Sequence, residues 1–296
     1  MQNEIKEKFD RLKDILRKLE KVSIAFSGGV DSTFLLKAAR DVLGAENVLA
    51  VTALSETTPR HEKEDADHFA RVFGIEHMVI RTRELDIRDF VRNPSDKCYI
   101  CKKSRFEILS QFAGEHGFTN VADGENMDDG LDFRPGSRAA RELGVRSPLR
   151  EAGMTKSDIR VLSKEFGLAT WDKPSYACLA SRIPYHQEIT AEKLKQIDDA
   201  EIFLRELGLS PQLRVRHHGD IARIELDRSD FDKISDKNLR SQIVEHLRSL
   251  GFQYVTLDLE GYGMGSLNRA VEKQQSQEKT FMALAKGRKK KWITNF

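Results

Sequence analysis

The stretch from Val22 to Thr33, Val-Ser-Ile-Ala-Phe-Ser-Gly-Gly-Val-Asp-Ser-Thr, constrains this chain more than any other. Val22 to Phe26 is a short apolar run of the kind that forms a buried parallel strand. Ser27-Gly28-Gly29 breaks it, and Ser32 to Ala39 opens a helix. Two adjacent glycines let the backbone turn sharply and approach a ligand with no Cβ in the way. The helix that follows leaves its first N–H groups unpaired and aimed into the turn, with the positive end of its dipole behind them. Strand, glycine turn and helix in this order make a cradle for phosphate. The lysine of a Walker A loop is missing, so that mechanism of phosphate binding does not apply.

The full string Ser27-Gly28-Gly29-Val30-Asp31-Ser32 resembles the pyrophosphate-loop (PP-loop) signature, SGG-x-DS, of enzymes that cleave ATP between its α and β phosphates. The resemblance implies that Ser27, Gly28, Gly29, Asp31 and Ser32 bind ATP, gripping its β and γ phosphates and the pyrophosphate that leaves. A bare turn that needs glycine for geometry alone is the competing reading.

Strand and helix signals alternate after the loop. Asn47–Leu54, Glu76–Ile80 and Thr119–Ala122 read as strands; Pro59–Phe73 and Lys102–His116 read as helices. Single helices between strands imply parallel pairing with right-handed crossovers, with ligands beyond the carboxyl ends of the strands. The loop and Asp123-Gly124 should therefore face one cleft. Upstream, Ile5, Phe9, Leu12, Ile15, Leu16 and Leu19 recur at helical spacing, so the first residues form an amphipathic helix and not a leader. Met154–Phe166 is a further helix, capped by Thr155 with Asp158 as its box partner. Trp171–Tyr185 lacks a period and reads as an ordered loop. Thr190–Leu207 is helical.

The pattern then changes to two strands, Gln212–His217 and Ile221–Leu226, a helix over Asp236–Leu250, and a strand over Phe252–Leu257. The expected fold class is α/β: a parallel-sheet domain over residues 1–187, followed by a smaller α+β domain over 188–296 for substrate or self-assembly. A chain of 296 residues with 39% hydrophobic content can bury both cores. No run is long and apolar enough for a membrane span, and the expected location is the cytoplasm. A net charge of +2 does not mark a nucleic-acid binder. The basic stretch Lys286–Trp292 reads as a solvated terminus, with nucleic acid as the alternative.

Cys98 and Cys101 are spaced C-x-x-C, and Cys178 stands alone. Three cysteines are too few for a secreted disulfide framework. A zinc site would need a fourth ligand such as His116 or His186, and a redox pair would need a helix start. Three thiolates also suit an iron–sulfur cluster with one iron left open. Ordinary loop cysteines complete the alternatives.

Several strings together are similar to the LarE family: WDKPSYACLASRIPY at 171–185, DGENMDD at 123–129, DFRPG at 132–136, Arg214-Val215-Arg216 and Gly261-Tyr262. The likeness spans nearly the whole chain, and the loop around Cys178 is its most diagnostic part. LarE enzymes are ATP-dependent sulfur transferases that convert the carboxylates of pyridinium-3,5-biscarboxylic acid mononucleotide to thiocarboxylates for the nickel-pincer nucleotide. The resemblance implies an acyl-adenylate route with Mg²⁺, a nucleotide substrate, a sulfide or other sulfur donor, and assembly with copies of itself. Relatives with one cysteine sacrifice it. Cys98 and Cys101 depart from that pattern, and three-cysteine relatives look like the [4Fe-4S] type, with Cys98, Cys101 and Cys178 as ligands. Cys178 and Asp31 are candidate catalytic groups, as is Arg182. Asn126, Asp129, Arg214 and Arg216 are candidates for nucleotide or substrate, the arginines by bidentate contact. Rival readings are a tRNA thiolase, sulfur sacrifice without a cluster, an amide-forming synthetase of the same superfamily, and a nucleotide-binding regulator.

Overall fold

The computed structural model describes residues 3–60, 68, 71–130, 135–174 and 177–263. Most of the helix expected over Pro59–Phe73 lies outside these, as do Asp132, Phe133, Arg134, Ser175, Tyr176 and the basic stretch at Lys286–Trp292. The chain divides into two compact units: Met1–Ala180 with His186–Asp198, and Ser181–Tyr185 with Asp199–Phe296.

The first unit is a parallel sheet between helices. Its elements are α1 (Asn3–Leu19), β1 (Val22–Ala25), α2 (Val30–Leu43), β2 (Val48–Leu54), β3 (Glu76–Arg81), α3 (Lys97–Glu115), β4 (Val121–Ala122), α4 (Pro135–Glu142) and α5 (Lys156–Glu165). The strand order is β3-β2-β1-β4, all parallel, with Val22 opposite Val48 and Ile24 opposite Ala122. Both faces are covered, as parallel pairing requires. Val22, Ile24 and Ala50 pack with Leu12 and Leu16 of α1, Phe34 and Leu35 of α2, and Ile159 and Leu162 of α5. Leu49 and Val51 turn the other way, against Phe106, Leu109 and Ala113 of α3. This alternation with period two sorts one strand between two cores. Thr155 and Asp158 form the expected capping box at α5.

One boundary differs with consequence. The α3 helix begins at Lys97, five residues before the Lys102 start expected from sequence, so Cys98 and Cys101 stand within its first two turns. Pro94-Ser95-Asp96 supplies the start, with Lys97 N–H on the Pro94 carbonyl and Tyr99 N–H on that of Asp96. Nothing between Asp96 and Lys102 breaks a helix once it has begun.

The second unit contains β5 (Arg214–His218), β6 (Ile221–Glu225) and β7 (Tyr254–Leu257), with α7 (Lys237–Ser249) between the last two. The α6 helix (Ala191–Glu206) precedes them. β5 and β6 are antiparallel, while β7 joins β6 in parallel because α7 supplies the crossover. Ala200, Leu204, Val215, Ile224, Ile243 and Leu247 form its core. No described helix is long and apolar enough to cross a membrane.

Candidate active site

Backbone geometry makes the Ser27–Ser32 string a cradle. Gly28 has φ +66°, where a Cβ is costly. Gly29 caps α2 in extended conformation and brings no side chain, so among the described residues no N-cap side chain covers the head of the helix. Ser32 Oγ donates to the Gly29 carbonyl and lies 3.2 Å from Ser27 Oγ, which braces the turn from within. The amides that begin α2 are left to an anion.

The turn after β4 closes on the same strand ends. A Cβ on Gly124 would stand 3.0 Å from Ser32 N and 3.3 Å from the Asp31 carbonyl carbon, so any larger residue would press the two segments apart. Asn126 N–H donates to Asp129 Oδ2, and Asp128 N–H to Asn126 Oδ1. Asp31 Oδ2 pairs with Lys156 Nζ at 2.5 Å, while Asp31 Oδ1 is buried and accepts no hydrogen bond among the described residues. Burial raises the pKa of Asp31, against the pull of Lys156; Asp129 adds to the rise and Asn126 opposes it. Asp31, Asn126 and Asp129 therefore share one locale. An orphaned carboxylate oxygen beside a phosphate cradle fits a hard cation such as Mg²⁺. Lys173 Nζ donates to the Gly28 carbonyl at 2.9 Å, which ties Lys173 to the cradle. Lys102 approaches Asp123, with 3.6 Å between Nζ and Oδ2, and Lys103 turns to the Tyr99 ring.

The cysteine segments are latched to each other. Lys97, next to Cys98, is buried and donates from Nζ to the Ala180 carbonyl at 3.3 Å and to Asn93 Oδ1. Between Cys178 and Ala180, Leu179 N–H donates to the Thr57 carbonyl at 2.8 Å. Thr57 Oγ1 accepts from Arg105, one turn beyond Cys101 on the same face of α3. Burial pushes the Cys101 thiol up to about 12; the Arg105 guanidinium opposes, while Cys178, Glu84 and Cys98 add to the rise. No disulfide joins the three.

In the second unit Arg182 and Glu201 are both buried and bonded twice, Nε to Oε1 at 2.9 Å and Nη2 to Oε2 at 3.0 Å. Arg205 and the Val215 N–H complete the shell of Glu201. Burial alone would raise this carboxyl, but Arg182, then Arg214 and Arg205, bring it down to about 2. Arg214 and Arg216 alternate along β5 and share a face, as expected. Arg216 pairs with Glu225 at 2.7 Å, and Arg214 lies over the Tyr262 ring at 5.0 Å. Burial and the neighbouring Arg182 charge lower Arg214 to about 10. Both glutamates are thus engaged by arginines.

A model of the NAD synthase family matches residues 4–111, which run from α1 through most of α3 and include the cradle. Over 88% of its length, and 93% of the relative's, the chain is 40% identical to the pyridinium-3,5-bisthiocarboxylic acid mononucleotide synthase of Lactiplantibacillus plantarum. The chain belongs to the LarE family. Uncharacterised proteins of Synechocystis sp. (43% identical over 91% of this chain and all of the relative) and Methanocaldococcus jannaschii (31% over 88%, and 95% of the relative) are similar over the same breadth. As a LarE-family protein it is an ATP-dependent sulfur transferase of the PP-loop type.

Four residues of this LarE-family site escaped sequence reasoning as site residues: Lys97, Arg105, Lys156 and Lys173. One signal was present. Lys156 occupies the first position of α5, where a cation opposes the helix dipole and needs an acidic partner. Arg105, at i+4 from Cys101, had no such mark once its helix was taken to begin at Lys102.

Proposed function

We propose that this protein adenylates the carboxylates of pyridinium-3,5-biscarboxylic acid mononucleotide and replaces them with thiocarboxylates. The carrying observation is that the ATP cradle and both cysteine segments belong to one unit, with Lys173 on the cradle and the cysteine segments latched through Lys97 and Thr57.

A carboxylate is a poor acyl donor because oxide would have to leave. Attack of a substrate carboxylate oxygen on the α phosphorus of ATP forms an acyl-adenylate, and pyrophosphate departs into the amides of the cradle. Asp31, with Asp129 nearby, would hold Mg²⁺, which screens the phosphate charges. A sulfur nucleophile then adds to the acyl carbon and AMP leaves, so each thiocarboxylate consumes one ATP. Arg214 and Arg216, with Arg182 behind them, are the candidates for the anionic groups of the mononucleotide.

Cys98, Cys101 and Cys178 would hold a [4Fe-4S] cluster. Among the described residues no three His, Cys, Asp or Glu side chains are placed on a single metal ion. A cubane does not ask for that, since each thiolate takes a different iron and the cysteines surround a volume. Two thiols one helical turn apart and a third on a latched loop suit this donor set. When bound, such a cluster supplies an iron open to hydrosulfide. Metal would also draw Cys101 into its thiolate form, which burial otherwise opposes.

The partial exposure of Cys178 supports a second reading, in which Cys178 gives up its own sulfur. Iron and acid-labile sulfide are measured on anaerobically reconstituted wild type and Cys98→Ala, followed by turnover with ATP and substrate. Iron in the wild type, its loss in Cys98→Ala, and repeated turnover with sulfide support the cluster. Absence of iron, with one turnover that strips sulfur from Cys178, supports sacrifice. Release of no pyrophosphate in the presence of substrate overturns both.

A further inference from the structure

A charged cluster lies beneath the cysteines, and the sulfur chemistry above makes no use of it. Arg105 Nε donates to Glu84 Oε1 at 2.6 Å, and Nη2 donates to Ser55 Oγ and Thr57 Oγ1, each at 2.9 Å. Thr82 Oγ1 donates to Glu84 Oε1 at 2.7 Å. The parts come from three places: Ser55 and Thr57 follow β2, Thr82 and Glu84 follow β3, and Arg105 rides on α3. Glu84 has no exposed surface. Arg105 is partly exposed, but withdrawing the Glu84 carboxylate from water still carries a desolvation cost that the pair must offset, and a buried pair is weak evidence of a purely stabilising role.

The placement is also asymmetric. Arg105 shares a helical face with Cys101 and bonds Thr57, whose carbonyl holds the residue after Cys178. Glu84 sits behind it, against Thr82. Three thiolates and a bound hydrosulfide would gather negative charge at this spot, with the half-buried Arg105 as its counter-charge.

Resting on the cluster reading above, we propose that Arg105 is the positioning residue of the three-cysteine site: a fixed cation, oriented by Glu84, Ser55 and Thr57, that offsets the charge of the thiolates and raises the reduction potential of the cluster they hold. Net charge near a cluster is among the protein's main controls over its potential. The two members of the pair must then act with opposite sign. Removing Arg105 disfavours the added electron, and removing Glu84 favours it. A purely structural pair would shift the potential the same way, or not at all, from either side.

The test uses the full chain, reconstituted anaerobically with iron and sulfide, as wild type, Arg105→Gln, Arg105→Lys and Glu84→Gln. Iron and labile sulfide are counted, far-ultraviolet circular dichroism checks the fold, and the potential is read by titrating the signal of the reduced cluster. Arg105→Gln should lower the one-electron reduction constant about tenfold, or about 59 mV. Glu84→Gln should raise it, and Arg105→Lys should stay near wild type. A folded Arg105→Gln that takes up no iron while Arg105→Lys loads fully also supports the charge role. Should Arg105→Gln fail to fold, Glu84→Gln decides: a rise upholds the proposal and no rise overturns it. Potentials that move together, or do not move, on an iron-loaded wild type reject the role of Arg105 alone. A wild type that takes up no iron rejects the cluster reading, and this proposal with it.

Discussion

Glu201→Gln tests the electrostatics of the second unit. The native carboxylate accepts both Arg182 bonds, one from Arg205 and one from the Val215 N–H, with almost no exposed surface. Folding moves its pKa from 4.5 to about 2, despite the opposing effect of burial. That difference corresponds to about 3 kcal/mol of stability. The sign follows from the direction of the change. A folded pKa below the unfolded one gives stability that is fully present above 4.5 and is lost as pH falls toward 2. The glutamine variant keeps the shape, turns one acceptor into a donor that faces Arg182, and leaves the arginine charges uncompensated. It should be less stable by about 3 kcal/mol at neutral pH, within the usual range for breaking a buried pair. The gap should narrow by about 1 kcal/mol near pH 3.5. Urea unfolding at the two pH values measures it, and hydrogen exchange in the peptides of β5 and β6 shows whether the loss is in the second unit. A gap independent of pH, or no gap, would refute the assignment of this carboxylate as the charged centre of the cluster.

Three further outcomes are expected. Gly124→Ala places a methyl 3.0 Å from Ser32 N, so the cradle must shift. Overpacking of this kind costs about 1–3 kcal/mol, and isothermal titration should show ATP binding weakened roughly tenfold while the melting temperature falls only slightly. Asp31→Asn keeps the fold and the size but removes a charge suited to Mg²⁺, and pyrophosphate release should drop by roughly two orders of magnitude or more. An unchanged rate would remove Asp31 from the metal site. Thr155→Ala breaks the capping box of α5 and should lower stability by about 1 kcal/mol in denaturant titration, with ATP affinity reduced through Lys156 at the head of the same helix.

Much of the architecture is legible in the sequence, because it depends on neighbours along the chain. The apolar run before Gly28-Gly29, the helical spacing from Ile5 to Leu19, and the Thr155–Asp158 pair each fix local backbone through short-range sterics and hydrogen bonds. The alternation of Leu49, Ala50 and Val51 between two cores follows from strand geometry once both sheet faces are covered. The early start of α3 was missed because Cys98 to Lys102 carries neither a strong helix signal nor a breaker, so the decision passed to Pro94–Asp96 just before it.

What the sequence determined by itself was the phosphate cradle, the parallel sheet it belongs to, and the presence of three thiols able to carry sulfur chemistry. Tertiary structure decided which groups meet. Lys156 reaches Asp31 from 125 residues away, Lys97 reaches Ala180 from 83, and Arg182 is bound to Glu201 across 19. The reason is physical. A turn or a periodic face is encoded by residues within a few positions of one another. The partner of a buried charge depends on how the sheet order and its crossovers bring distant segments together, and no local pattern records that.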